Sequence, residues 1–299
     1  MQSRGSLFLT DLYTDWSTRL AANPDMSIAD VRSMFDSWHN VTLEPEGVTY
    51  RSDVLAGLNS IWALPIEADH SKVVLYCHGG GFSVGSAATH RKLLGQIVCR
   101  LGVIGVAIDY RLAPEFPFPA QLEDAAAAYK NLRDQGYDES DITIAGDSAG
   151  GNLAIATVLQ LQQQGTPLPG SVIAFSPWLD MELVGETLVS NDGTDALVHR
   201  PLLEGMCSMF LGESGSRTDP LTNPLKADFR GFPRLYVNAG SLETLLDNAL
   251  DLVDRARAAG VDATLSVVED MQHVFPFLAG RAKEADDELD RLARWYQGG

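Results

Sequence analysis

The pentapeptide Gly146-Asp147-Ser148-Ala149-Gly150 lies between two runs of opposite secondary-structure preference. Residues 141–145 (DITIA) are rich in β-branched side chains and are typical of a buried strand, whereas residues 151–159 (GNLAIATVL) follow a helical pattern. A strand that turns sharply into a helix strains its turn residue and needs small neighbours, because the helix passes close to the strand. The pattern therefore predicts a G-x-S-x-G elbow that presents the Ser148 hydroxyl at a helix N-terminus, where the helix dipole favours negative charge.

Further apolar runs of strand length recur along the chain, and helical patterns fill the intervals between them. The other predicted strands are residues 48–50, 58–64, 73–77, 103–108, 171–175, 234–238 and 263–268. The predicted helices are approximately residues 87–101, 120–135, 151–164, 244–260 and 276–297. This alternation is typical of an α/β fold with a mostly parallel central sheet flanked by helices. Sites in such sheets form beyond the carboxyl ends of the strands.

Two regions depart from this alternation. Residues 1–45 carry two amphipathic helical patterns, which fit either a lid over a site or helices packed on the edge of the core. Residues 181–230 mix helix and turn, and long insertions of this kind are often lids. We therefore predict one α/β core formed by residues 46–180 and 231–299, with N-terminal cap helices in residues 1–45 and a cap insertion in residues 181–230.

Composition and charge narrow the classes of partner. The chain has 299 residues, of which 45% are hydrophobic and 21% charged, as in an ordinary globular protein. Its formal charge of −18 disfavours nucleic acid and anionic membrane surfaces as partners, because both are polyanions. Three widely spaced cysteines, an N-terminus without a long apolar run and the lack of any membrane-length apolar segment predict a soluble, cytoplasmic protein.

A serine hydroxyl becomes a good nucleophile only when a base takes its proton, an acid orients that base and donors hold the oxyanion. The predicted base is His273, in the loop that follows the last strand and can fold over the elbow. His78 opens a run of glycines, where it is better suited to orienting the loop. The remaining histidines lie in the N-terminal region, in a polar loop, at a helix start and in the insertion, at residues 39, 70, 90 and 199.

The acid is expected in the loop after the strand at residues 234–238, where both Glu243 and Asp247 qualify by charge. Glu243 lies nearer the strand end, whereas Asp247 is expected to have entered the following helix and to point elsewhere. We therefore prefer Glu243. The order serine, acid, histidine along the chain is the order of the α/β-hydrolase arrangement.

The oxyanion donors are expected in the run His78-Gly79-Gly80-Gly81, directly after a predicted strand. Consecutive glycines let backbone N–H groups approach a reacting carbonyl without a β-carbon in the way, and Ala149 supplies a further N–H after the nucleophile. The same glycines do not fit a phosphate-binding loop, since neither G-x-x-x-x-G-K-[ST] nor G-x-G-x-x-G is present. No histidine, cysteine or acidic group has the spacing of metal ligands, so we expect neither a metal nor a cofactor.

Four motifs together resemble the bacterial hormone-sensitive-lipase-like esterases. They are H-G-G-G-F at 78–82, D-Y-R-L-A-P-E at 109–115 with F-P-A at 118–120, G-D-S-A-G-G-N at 146–152 and M-Q-H-V-F at 271–275. The resemblance covers about residues 70–280 and implies an α/β-hydrolase fold with a helical cap. By position it implies Ser148 as nucleophile, His273 as base and an acid at Glu243. It also implies oxyanion donors at Gly80, Gly81 and Ala149. The chain departs from the family at Glu243, where the family usually has aspartate.

The expected reaction is hydrolysis of small to medium acyl esters through an acyl-enzyme. Opening of lactones or hydrolysis of amides or formamides would use the same three residues, and a noncatalytic ligand-binding protein on this scaffold is a remote alternative. The resemblance also suggests a homodimer through the edge of the sheet. Apolar residues near strand ends or in the insertion are candidates for contact with substrate, namely Phe82, Trp178, Met181, Met206, Phe210, Phe275 and Phe277.

Overall fold

A computed structural model describes residue 3 and residues 5–298 of the chain. Residues 1, 2 and 4 of the predicted cap segment and residue 299 of the predicted core lie outside the described residues. Eight strands form one sheet in the order β1-β2-β4-β3-β5-β6-β7-β8. The strands are β1 Val48–Leu55, β2 Leu58–Pro65, β3 Asp69–Cys77, β4 Val103–Ile108, β5 Ile142–Asp147, β6 Ser171–Phe175, β7 Arg234–Gly240 and β8 Ala263–Val268.

The pairing of the strands confirms the predicted mostly parallel sheet. β2 pairs antiparallel with both β1 and β4, and every pair from β4 through β3 to β8 is parallel. The central strands β4, β5 and β6 are buried over their whole length and β3 over its last five residues, which explains their continuous apolar sequences. The carboxyl ends of the parallel strands therefore meet at one edge, where the predicted motifs lie.

Helices flank the sheet. They are α1 Leu7–Ala22, α2 Ile28–Phe35, α3 Ala87–Leu101, α4 Ala120–Asp134, α5 Ala149–Gln163, α6 Thr187–Ser190, α7 Arg200–Leu211, α8 Leu246–Ala258 and α9 Lys283–Gln297. α3 packs on β2 and β4 and contacts α9, whereas α5 packs on β5 and β6 and contacts α4. Within the described residues, no helix is long and apolar enough to cross a bilayer.

The predicted helix at residues 276–297 is wrong in its first turns. The structure has a short 3₁₀ turn at Phe275–Leu278, and α9 begins only at Lys283. Pro276 has no N–H to donate to a helical bond, and Gly280 adopts a positive φ of 81° that turns the chain before α9. The sequence pattern does not separate this turn from the helix, because the apolar residues of the turn come shortly before an amphipathic helix.

The N-terminal helices contact both the core and the insertion. Trp38, in the turn after α2, stacks on Phe277 with ring centroids 5.6 Å apart. Trp16 of α1 packs edge-on against Trp38. Ser17 of α1 donates a hydrogen bond of 2.6 Å to the carbonyl of Ala196 in the insertion. These contacts hold residues of α1, the turn after α2 and the insertion together near the carboxyl ends of the strands.

Candidate active site

The elbow residue Ser148 joins β5 to α5 in a strained conformation, with φ of 53° and ψ of −122°. Glycine is required on both sides of it, because a β-carbon at Gly146 or at Gly150 would overlap the carbonyl oxygen of Cys77. Such strain costs about 1–3 kcal/mol and persists only where surrounding contacts over-determine the geometry. Those contacts are present, since Ser148 N–H donates to the Phe175 carbonyl at 2.8 Å and the Ser148 carbonyl accepts from Trp178 N–H at 3.0 Å.

The predicted acid and base lie against each other although thirty residues separate them in sequence. Nδ1 of His273 donates to Oε2 of Glu243 at 2.9 Å, and the two side chains are 3% and 0% exposed. The other carboxylate oxygen, Oε1, accepts from the Ser176 hydroxyl at 2.6 Å and from Gly240 N–H at 2.5 Å. Burial alone would lower the pKa of His273, but the hydrogen bond to Glu243 and nearby negative charge raise it overall.

Asp247, the alternative acid, lies elsewhere. It is in the first turn of α8, and its carboxylate accepts hydrogen bonds from the backbone N–H and the hydroxyl of Thr187 at the start of α6. The structure therefore brings Glu243, and not Asp247, to the imidazole. Asp247 instead fastens the insertion to α8.

The glycine run at the end of β3 forms a loop whose backbone faces the elbow. Gly80 and Gly81 have positive φ values of 113° and 58°, and a β-carbon on Gly81 would collide with the sulfur of Met206. Ala149 is the first residue of α5. Among the described residues, none of the three N–H groups of Gly80, Gly81 and Ala149 has a hydrogen-bond acceptor. Three backbone donors are therefore free at a position next to Ser148.

A buried carboxylate behind this loop was missed by the sequence analysis. Oδ1 of Asp147 accepts from the Tyr76 hydroxyl at 2.8 Å and from Gly79 N–H at 3.1 Å, and its Oδ2 lies 3.4 Å from Nε2 of His90. Burial opposes ionisation of Asp147, but His90 and the Tyr76 hydrogen bond lower its pKa overall. Asp147 therefore anchors the start of the glycine loop from within the elbow.

His78 also orients this loop. Its Nδ1 donates to the carbonyl of Gly79 at 2.8 Å, and its ring stacks on Tyr110. Burial lowers the pKa of His78 to about 3, so the imidazole is neutral at neutral pH. A neutral, buried ring with its proton engaged in the loop is unsuited to proton transfer at Ser148.

Ser176, which the sequence analysis also missed, joins the two loops that carry Glu243 and His273. Besides donating to Glu243, its oxygen accepts from Val274 N–H at 3.0 Å. Its φ is positive, at 45°. Ser176 directly follows β6, and its place at the carboxyl end of a buried strand is the signal that could have singled it out.

Ser148, His273, Gly80 and Gly81 line one small cavity of about 30 Å³. The apolar part of its wall comes from the N-terminal segment, the strand ends and the insertion, through Phe35, Trp38, Trp178, Leu197, Val198, Leu202, Leu203, Met206, Leu245 and Val274. Two of the residues predicted to contact substrate, Trp178 and Met206, are in this wall. These segments surround the candidate site and leave little free space beside Ser148.

The other residues predicted to contact substrate lie in the packed interior, outside this wall. Phe82 stacks on Phe210 with ring centroids 3.8 Å apart, so each ring covers the other. Met181, Phe275 and Phe277 are fully buried. Sequence alone does not separate such residues from wall residues, because both are apolar and near strand ends.

The sheet and its serine elbow define a hydrolase of the α/β-hydrolase fold. Residues 74–277 match a protein family described as having the alpha/beta hydrolase fold. The chain is 34% identical over 272 residues to an acetyl-hydrolase of Streptomyces hygroscopicus, covering 85% of this chain and 90% of that protein. It is also 34% identical over 229 residues to an esterase of Acinetobacter venetianus, covering 77% and 76% of the two chains.

A solved structure, that of an esterase from the bacterial hormone-sensitive lipase family, superposes with a TM-score of 0.94 at 36% identity. The alignment covers 100% of this chain and 99% of that one. The chain belongs to the hormone-sensitive-lipase-like esterases of the α/β-hydrolase superfamily. The resemblance stated from the four motifs is thereby confirmed, and the protein is an ester-hydrolysing enzyme.

Proposed function

We propose that this esterase cleaves small to medium acyl esters through an acyl-enzyme formed on Ser148. The observation that carries the proposal is the buried Glu243–His273 pair, 2.9 Å apart, whose imidazole lines the same small cavity as the strained serine. A nucleophile, a base and an acid that orients the base are thus all at one site.

In the first half of the proposed reaction, His273 takes the proton of Ser148 while Oγ of Ser148 attacks the ester carbonyl. Negative charge develops on the carbonyl oxygen, and the N–H groups of Gly80, Gly81 and Ala149 are available to hold it. Each such donor is worth about 3–4 kcal/mol of barrier. Glu243 stabilises the imidazolium that forms on His273.

The intermediate collapses when His273 gives its proton to the leaving alcohol, which leaves the acyl group on Ser148. Water then attacks the acyl carbonyl, with His273 again as base; His273 returns this proton to Oγ of Ser148 as the acyl–oxygen bond breaks, and the carboxylic acid departs. Labelling with a fluorophosphonate tests this assignment, because the reagent reacts with an activated serine. We expect the label on the peptide that contains Ser148, and an unlabelled Ser148 in folded protein would refute the acyl-enzyme.

The size of the cavity supports a preference for short acyl chains. Next to the cavity is a larger, mainly apolar groove of about 400 Å³ between α1, the turn before α2 and the start of α7. Leu197 and Leu202 line both spaces, so their side chains separate the groove from the cavity that contains Ser148. We propose that this wall limits the length of the chain that fits beside the serine.

Replacing Leu202 by Ala is expected to raise kcat/KM for p-nitrophenyl octanoate about tenfold relative to that for p-nitrophenyl acetate. The smaller side chain joins the groove to the cavity, and each methylene accommodated in an apolar site is worth about 1–3 kcal/mol. The ratio of kcat/KM over acyl chains of increasing length measures the effect.

Met209→Ala is the matched control for Leu202→Ala. Met209 is on the same helix and half-buried, but it lines neither space. Its chain-length profile should follow that of the unmodified enzyme. A profile for Leu202→Ala that is indistinguishable from that of the control would contradict the proposed wall.

A further inference from the structure

A segment of the insertion, residues 191–198, connects the cap to both loops that carry the candidate acid and base. We refer to it as the tether segment. The amide of Asn191 donates to the carbonyls of Ser241 and Glu243, at 3.2 and 2.9 Å. The side chain of Gln272, directly before His273, accepts from Ala196 N–H at 2.8 Å and donates to the Thr194 carbonyl at 2.9 Å.

Asp195 is the centre of the tether segment. Its side chain is only 3% exposed. Oδ1 accepts from the N–H groups of Leu197 and Val198 at 3.0 and 2.8 Å. Oδ2 accepts from the N–H and the hydroxyl of Thr244, the residue after Glu243, at 2.9 and 3.2 Å. One carboxylate therefore fixes both the turn that leads to α7 and the loop of the candidate acid.

The donors around Asp195 are all neutral. Across the part of the chain that the structure describes, no lysine, arginine or histidine forms an ion pair with this carboxylate. Burying a charge is costly unless hydrogen bonds or opposite charges compensate it. Here four hydrogen bonds compensate the burial of the Asp195 carboxylate and, among the described residues, no cation of an ion pair offsets its negative charge.

Three carboxylates raise the pKa of the His273 imidazole, and each comes from a different element. Glu243 comes from the loop after β7, Asp147 from the end of β5 and Asp195 from the tether segment. Glu243 is hydrogen-bonded to the ring, whereas the carboxylate of Asp147 interacts with His90 and accepts a hydrogen bond from Tyr76. Asp195 also raises the pKa of His273, although it does not touch the ring by any hydrogen bond among the described residues.

We propose that Asp195 is a positioning residue: its buried carboxylate holds the loop of Glu243 from the insertion and adds a further negative charge, besides those of Glu243 and Asp147, close to the candidate acid and base. The proposal rests on the proposed function, in which the His273 imidazolium forms during each transfer. In this proposal the insertion does more than line the site, because its residue Asp195 also supports proton transfer by His273. Displacement of the tether segment would then slow the chemical step.

The test uses two substitutions that remove the negative charge of Asp195 and are expected to keep the fold. Asp195→Asn is close in shape, and Asp195→Ser keeps an oxygen that can accept from the N–H groups of Leu197 and Val198. In both variants the acidic limb of the pH profile of kcat/KM is expected to move to lower pH, because a lost anion makes the imidazolium less stable. The plateau of kcat should fall about tenfold, the change that one pKa unit of lost stabilisation corresponds to.

Two controls separate charge from packing. Asp192→Asn removes an exposed carboxylate from the same segment, and we expect an unchanged profile. Thr244→Val keeps the charge of Asp195 but removes one of its donors, so activity should fall without movement of the acidic limb. If Asp195 had only a structural role, Asp195→Asn, Asp195→Ser and Thr244→Val would all lower activity without moving the acidic limb.

A titration of the His273 ring followed by NMR makes the outcome independent of turnover. The pKa of His273 is expected to fall in folded Asp195→Asn or Asp195→Ser and to stay unchanged in Asp192→Asn. An unchanged His273 titration in either folded Asp195 variant overturns the proposal. Failure of the acyl-enzyme itself would appear differently, as an Asp195-dependent titration together with a Ser148 that no fluorophosphonate labels.

Discussion

Ser148→Ala is expected to abolish hydrolysis of p-nitrophenyl acetate and p-nitrophenyl butyrate while the protein stays folded. Removal of the nucleophile of a serine–histidine–acid site lowers kcat by about 10⁶-fold, because the remaining donors and binding groups give only residual catalysis. The side chain lies at the wall of a cavity, so its loss leaves the packing of β5 and α5 intact. Initial rates at saturating substrate measure the loss, and circular dichroism checks the fold.

Ser208→Ala is the control for this experiment. Ser208 is exposed on α7, where its hydroxyl donates only to the carbonyl of Glu204. We expect full activity and full fluorophosphonate labelling in this variant, and neither in Ser148→Ala. Full turnover by Ser148→Ala would remove Ser148 from the mechanism and leave the elbow as a structural feature.

Glu243→Gln is expected to lower kcat by about 10⁴-fold, as loss of the carboxylate does in related triads. Glutamine has nearly the same shape as glutamate, but it is neutral. The carboxylate of Glu243 now faces three hydrogen-bond donors, from His273, Ser176 and Gly240, so the NH₂ group of glutamine would meet donors and find no acceptor. The imidazolium then forms without a partner, and the tautomer of the neutral ring is no longer held.

Asp247→Asn is the matched variant for the acid. Its carboxylate binds Thr187 and does not contact His273, so kcat should stay within a few-fold of the unmodified enzyme, with a loss of stability instead. The pair of variants is compared by kcat at saturating substrate and by thermal melting. If Asp247→Asn lost far more activity than Glu243→Gln, the acid would have to be reassigned to Asp247.

Much of the candidate site was predictable because its requirements are local. The elbow needs glycines at 146 and 150, where a β-carbon would meet the carbonyl of Cys77, and the sequence shows both directly. The glycine run after β3 and the histidine after β8 are recognisable for the same reason, since strands, turns and chain order are encoded over a few residues each. The parallel sheet followed from the apolar runs of its buried strands.

Other predictions depended on contacts between residues far apart in the chain. Phe82 and Phe210 were interpreted as pocket residues, yet they stack on each other in the core. Asp195 was overlooked because an aspartate in an insertion has no local pattern that marks it, and Ser176 was overlooked although it directly follows a buried strand. Their importance arises only from bonds that span 67 and 49 residues, to Glu243 and Thr244.

The amino-acid sequence by itself determined the fold class, the serine elbow, the glycine loop and the order of the candidate nucleophile, acid and base. Tertiary structure alone decided which carboxylate faces the imidazole, how small the space beside Ser148 is and how the insertion is tied to the site. The physical reason is the range of the interactions: backbone strain and strand burial are set by neighbouring residues. Hydrogen bonds between loops and the closure of a cap depend on packing that brings distant segments together.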